Sequence, residues 1–272
     1  MLKYLILTVL PFFFMYKLGD TNFESNFIQN KINNSLDNNF SYSLEMLPYF
    51  NNENTDYLQY YEIIDYINNR HHNLTILERP KIEIKINTLS NEKSKMWIIF
   101  KSIIDYAYHK NVFIWISPVI PKTLKMEYEF FLKCKELNYT NLGITLATYN
   151  KNIHNRVDNI LSNNGTINLI KGFYYGDIKD WQIVTDNYYM NAEKMIKSGN
   201  YHALSTHDFE ILGYLKNKYP EEFQNIELVF FNEKNIEKIN EFENNTKSFY
   251  ISFGKVKSYI MDNIFIMNTK NS

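Results

Sequence analysis

The feature that most constrains this chain is an alternation that repeats along its length: a short apolar run, then a stretch with helical periodicity. The runs are Tyr42–Leu47, Ile82–Ile86, Val112–Ile116, Leu142–Leu146, Ile167–Ile170, Tyr201–Ser205, Ile226–Phe231 and Ser248–Ser252. They are rich in Ile, Val, Leu and aromatics, the composition of strands buried on both faces. The intervals carry amphipathic stretches over Tyr57–Asn69, Met96–Tyr108, Leu124–Leu137, Ile153–Leu161, Val184–Ile196, Phe209–Lys218, Asn235–Phe242 and Val256–Phe265. Asp208 is placed to cap the helix that Phe209 begins, and Gly199 to end the one before it. Parallel neighbours need a covering crossover, so this alternation predicts an α/β fold, a (β/α)8 barrel of the TIM type. A doubly wound open sheet is the alternative, and the absence of a Gly-rich turn after any strand counts against it.

A length of 272 residues suits one such barrel. The division expected is an N-terminal apolar segment and lead-in over 1–40, then the barrel over 41–272. The run from Tyr4 to Met15, broken by Pro11, is long enough for a signal-peptide core and short of a spanning helix. Two readings stand for it: a packed terminal helix, or a signal or anchor that would tie the chain to a membrane. The sequence does not settle the compartment: an intracellular place is favoured, with a membrane-anchored or secreted one as the alternative. With 29 Lys and Arg against 30 Asp and Glu, there is no basic excess of the kind a nucleic-acid partner leaves. Cys134 is the single cysteine, so no intrachain disulfide can form; the sequence shows no zinc-cluster spacing, and the helical setting of Cys134 reads as a packed thiol.

In a barrel, chemistry belongs at the C-terminal ends of the strands. There the sequence offers Lys85, Ser117, Ala147, Lys171, the Thr206-His207-Asp208 run and Phe230-Phe231. Lys85 sits between Ile84 and Ile86, so alternation points it away from its neighbours. It either snorkels out through the wall or aims a cation into the mouth, and its place on the second strand favours the inward reading. Lys171-Gly172 pairs a cation with a residue that lets backbone approach a ligand, although most such pairs are ordinary turns. Ser205-Thr206-His207-Asp208 gathers hydroxyl, imidazole and carboxylate at one strand end; His207 can hold a cofactor oxygen or a proton there, or be a satisfied turn residue beside a helix cap. His71 and His72 read as solvated surface, and His109 and His154 as helix-end residues without sequence neighbours to work with.

Taken in order, three segments resemble the proline dehydrogenase family. Tyr139-Thr140-Asn141-Leu142-Gly143-Ile144-Thr145-Leu146-Ala147-Thr148-Tyr149 is similar to its fourth strand, and Leu169-Ile170-Lys171-Gly172-Phe173-Tyr174 to its Lys-Gly-containing strand. Gly199-Asn200-Tyr201-His202-Ala203-Leu204-Ser205-Thr206-His207-Asp208 resembles its Thr-His-Asp/Asn segment. Weaker similarity covers Lys81–Ile86 and Ser43–Leu47.

The resemblance implies a flavin oxidoreductase with FAD at the barrel mouth. It would oxidise L-proline, or a related amine, to pyrroline-5-carboxylate and pass electrons to a quinone. It carries an active-site lysine onto Lys85 and flavin contacts onto Lys171, Gly172, Tyr174, Thr206 and His207. The chain departs from the family in several places. Ser117 stands for an Asp on strand three, Ala147 for a Gln on strand four, Tyr175 for an Arg or Trp, and Val229 for a Gln on strand seven. Tyr259–Ile264 contains no arginine where the family offers a pair to the substrate carboxylate. These departures keep a second reading open, a barrel without catalysis that serves as a binding or structural protein.

Overall fold

A computed structural model describes residues 40–47, 57–117, 121–172, 176–231 and 235–254. Eight parallel strands close into a barrel in sequence order: β1 (Phe40–Leu47), β2 (Lys81–Ile84), β3 (Ile114–Ile116), β4 (Leu142–Ala147), β5 (Ile167–Ile170), β6 (His202–Ser205), β7 (Ile226–Phe230) and β8 (Lys247–Gly254). β8 pairs with β1 from Phe40↔Lys247 to Leu47↔Gly254, which closes the ring. The expected alternation is therefore the fold, and the open sheet is excluded. Each apolar run holds a strand: β1, β2, β4 and β8 reach beyond their runs, whereas Ile86 lies in a 3-10 turn, Val112 and Tyr201 precede their strands and Phe231 follows β7.

The described helices are α1 (Leu58–Arg70), α2 (Lys93–His109), α3 (Pro121–Glu136), α4 (Ile153–Ser162), α5 (Trp181–Lys197), α6 (Phe209–Lys218) and the short α7 (Ile236–Asn240). Asp180 caps α5 by accepting from the Gln182 and Ile183 N–H groups, and Asp208 caps α6 by accepting from Ile211 N–H at 3.1 Å. Gly199 follows α5 with φ +69°, the left-handed residue that ends a helix. Among the described residues no helix is long and apolar enough to cross a membrane. The 1–39 segment and the Val256–Phe265 stretch lie outside the described residues.

Strand alternation divides the molecule into two interiors. One parity (Leu44, Ile82, Ile84, Ile144, Leu169 and Leu228 among others) packs outward against Ile63, Phe100, Phe130, Tyr188, Leu212 and their helix neighbours. Cys134 belongs to this shell, and burial pushes its thiol up to about 12, so it is a packed side chain. The other parity faces the lumen. At the N-terminal end Phe113, Trp115, Ala203 and Val229 fill it with Leu77 and Tyr201. Gly143 makes room for this plug, since a Cβ there would lie 2.2 Å from Trp115 Cζ3.

A charged layer runs through the same end. Lys81 Nζ reaches Glu227 at 3.0 Å with both side chains fully buried. β2 and β7 are not neighbours, so this contact can only cross the lumen. Tyr201 and Ser248 hydroxyls also donate to Glu227, and Lys81 donates to the Leu77 carbonyl at 2.7 Å. Removing one partner of such a pair strands the other charge, a cost of about 3–5 kcal/mol, whereas removing both together is often near neutral. Glu227→Gln should accordingly lower unfolding stability by about that much in denaturant titration. The Lys81→Met/Glu227→Leu double variant should recover most of the loss.

Candidate functional site

At the C-terminal end the lumen carries a second charged group, built from β1, β2 and β3. Register sets Glu45 beside Glu83. Lys85, which follows β2 with extended backbone angles, turns inward and pairs with Glu45 at 2.7 Å. Its side chain is 7% exposed, so of the two sequence readings the lumenal one holds and the snorkelling one fails. Glu83 accepts a hydrogen bond from Ser43 Oγ at 2.7 Å and is bonded to the Ser117 side chain. Ser117, where the resemblance expects an Asp, thus stands one hydrogen bond from a carboxyl supplied by the neighbouring strand. Burial, reinforced by the charge of Glu45, pushes Glu83 up to about 7 despite the opposing effects of the serines and Lys85.

The second part of the mouth lies across the barrel, at the ends of β5 and β6. A cleft of about 500 Å³ is lined by Lys171, Gly172, Thr206, His207, Trp181 and Lys238, with Ser205, Asp208, Phe209 and Glu210. Lys171 is anchored through its backbone, which donates to the Ser205 carbonyl at 3.2 Å and accepts from Thr148 Oγ1 at 2.7 Å. Its ammonium pairs with the Asp208 carboxylate and lies 5.2 Å from the Trp181 ring centre. Gly172 has φ +125°, and a Cβ there would press on Tyr149 at 2.8 Å, so backbone geometry and the crowded rim both demand glycine. Thr206 Oγ1 accepts from Asp208 N–H at 3.1 Å. His207 Nε2 lies 3.1 Å from the Phe231 N–H and accepts from it, which fixes the neutral ring with its proton on Nδ1. Beneath them Ser205 Oγ donates to Asn168 Oδ1 at 2.7 Å.

Four of the sequence candidates, Lys171, Gly172, Thr206 and His207, therefore come together around one cleft. Lys85 does not line it and belongs to the β1–β3 group. Tyr174 and Tyr175 lie outside the described residues, as do the Tyr259–Ile264 positions. Asp208 is the helix cap that the sequence predicts and also the counter-ion of Lys171. Ala147 packs with Tyr149 and Val184, and Val229 lies in the lumenal plug. His71 corrects the sequence reading: it is buried, edge-on to Tyr66, and burial with the Arg79 charge pushes it down to about 4. His154 acquires partners from a distant helix, Asn191 at 3.1 Å and Asn187 at 2.9 Å. What sequence reasoning missed is the Glu45–Glu83–Ser43 group. Its signal was present in Lys81-x-Glu83-x-Lys85 and Ser43-x-Glu45, polar residues at every second position of strands otherwise apolar.

Part of the lining suits a flat, anionic group such as a flavin nucleotide, whereas Asp208 and Glu210 in the same lining oppose negative charge. Two lysines and a helix N-terminus face the cleft, an indole is exposed beside it, and a glycine lets backbone approach.

No family model matches the chain, and no curated protein matches it in sequence. Solved structures do match in fold. The barrel is similar to proline utilization A (PutA) from Bdellovibrio bacteriovorus inactivated by N-propargylglycine, with a TM-score of 0.76, 14% identity and 90% of this chain covered. It is also similar to Bradyrhizobium japonicum PutA carrying D778Y (TM-score 0.74, 14% identity, 89% covered) and to PutA from Corynebacterium freiburgense (0.73, 11%, 92%). The chain spans 31%, 30% and 30% of those proteins, so the similarity is to one part of much longer chains. At such identity it establishes the fold.

Glu83 gives this site a measurable pH signature. A carboxyl whose value rises from 4.5 to about 7 on folding binds its proton more tightly in the folded state. Its stabilising contribution is therefore complete below 4.5 and is lost as pH rises through about 7. Wild-type denaturation midpoints should fall across that window relative to Glu83→Gln, whose amide does not titrate; parallel curves for the two proteins would show that Glu83 ionises normally.

Proposed function

We propose that the chain is a flavin-dependent oxidoreductase of the proline dehydrogenase type, with FAD at the barrel mouth and L-proline or a related amine as substrate. The observation that carries this reading is the gathering of Lys171, Gly172, Thr206 and His207 around one cleft of a PutA-like barrel, with Lys85 directed into the lumen. Lys171 and Lys238 would hold the anionic part of the cofactor, and Gly172, Thr206 and His207 would border its ring. When bound, FAD supplies the hydride-accepting chemistry. The chain's own part is to orient the ring, exclude water and manage charge around the substrate, with Lys85 held in place by Glu45. A quinone as the final electron acceptor completes the reading.

A second reading has its own support. Asp208 already neutralises Lys171, and alanine, serine and valine stand at three positions where the resemblance expects polar site residues. A non-catalytic barrel using the same mouth to bind a ligand would show those features.

Absorbance spectroscopy separates the two. Protein purified with added FAD should carry flavin bands that bleach anaerobically on addition of L-proline. Lys171→Met should retain less flavin by roughly one to two orders of magnitude, the loss of a charge-assisted contact of about 1.5–3 kcal/mol. Bands that persist with proline would mean another substrate, and protein that binds no flavin would establish the non-catalytic reading.

A further inference from the structure

The group at the ends of β1–β3 holds one more carboxyl than its ion pair uses. Lys85 can compensate one carboxylate, and Glu45 takes that place at 2.7 Å. Glu83 is left with hydroxyl partners, Ser43 and Ser117. Its titratable neighbours among the described residues are Glu45 from β1, which opposes its ionisation, and Lys85 just beyond the end of β2, which favours it. β3 presents Trp115 and Ser117, which do not titrate in this range. The serines differ in depth. Ser43 is level with Lys81 and 1% exposed, whereas Ser117 follows the last residue of β3 and is 7% exposed. A serine hydroxyl can accept and donate at once. Ser117 can therefore bridge from Glu83 to a group bound in the mouth above it.

We propose that Glu83, acting through the Ser117 hydroxyl, is the proton acceptor for a cationic amine bound at the barrel mouth. The proposal rests on the amine-oxidising reading and names the residue that prepares the substrate. At neutral pH an aliphatic amine enters as its ammonium form, whose nitrogen has no lone pair to support departure of hydride from the adjacent carbon. In the transfer the ammonium N–H bond breaks and its proton passes to Ser117 Oγ. The Ser117 hydroxyl proton passes to the Glu83 carboxylate. A neutral amine and a neutral carboxylic acid result, and no electrons are exchanged. The charges favour this sequence: with Glu83 ionised, Glu45, Glu83 and Lys85 together carry one net negative charge, which attracts the ammonium. After the transfer both that charge and the substrate's are gone. Positioned acid–base groups of this kind contribute typically 10²- to 10⁴-fold in rate, and are most effective when they titrate near the working pH.

Infrared difference spectroscopy on the full chain reads the carboxyl itself, with or without flavin. Wild-type protein should show a protonated-carboxyl band that fades with a midpoint near 7 and is missing from Glu83→Gln. At about pH 8, where Glu83 is mostly ionised, adding L-proline or pyrrolidine should restore the band in wild type and not in Ser117→Ala. In flavin-loaded protein the rate of flavin reduction should rise with pH through the same midpoint. That rise should vanish in Glu83→Gln, with a loss of roughly 10²- to 10⁴-fold. A band that survives Glu83→Gln, a midpoint below about pH 5, or a band that neither amine restores would overturn the proposal. Gln has nearly the shape of neutral Glu and can keep both serine contacts, and Ser117→Ala tests the same path with the carboxyl intact. If flavin fails to bind, the infrared result still decides the role of Glu83, so the two failures are distinguishable.

Discussion

Closing a sheet into an eight-stranded barrel removes its edges and sends every second strand residue into a narrow lumen. In this chain that lumen receives Lys81, Glu83, Lys85, Glu45 and Glu227, charged residues in a space that excludes water. Buried charge is tolerated only when it is paired and hydrogen-bonded. The structure meets that demand across the barrel, with Lys81 and Glu227 joined through the centre and Lys85 and Glu45 joined at the mouth. A slip of one residue in β2 would turn Lys81, Glu83 and the following Lys85 into the apolar shell under the helices and bring Ile82 and Ile84 into the lumen. The need to pair these charges thus fixes the register on which the positions of all the mouth residues depend.

The two ends of the lumen are put to different uses. At the N-terminal end Trp115, Phe113 and Tyr201 close the barrel around a pair whose polar atoms are fully engaged. Among the described residues the pairing at the C-terminal end is incomplete by one charge, and Glu83 is held by two hydroxyls. Half a turn around the ring, Lys171 has its own counter-ion in Asp208, so the cleft at the ends of β5 and β6 is close to neutral before any ligand arrives. An anionic cofactor would have to share or displace that carboxylate.

The architecture was readable in the sequence because the parallel barrel imposes two periods at once. Runs such as Leu142–Leu146 and Ile167–Ile170 could only be buried strands, and the Ile153–Leu161 stripe only a helix between them. The β5–β6 candidates were readable because they are local in sequence: Lys171-Gly172 and Thr206-His207 sit directly at strand ends. The carboxyl group at β1–β3 was not, since Glu45, Glu83 and Ser117 come from three strands and meet only on closure. The burial of His71 was missed for a similar reason. Its polar neighbours in sequence said surface, and the packing of Tyr66 and Arg79 around it decided otherwise.

The central claim is that this mouth is a flavin site with an amine beside it. A crystal structure of the chain grown with FAD and pyrrolidine tests that most directly. The account predicts the flavin ring over the ends of β5 and β6, bordered by Lys171, Gly172 and His207, with the amine nitrogen within hydrogen-bond reach of Ser117. A mouth without flavin, with Lys171 still closed on Asp208 and amine elsewhere on the surface, would contradict it.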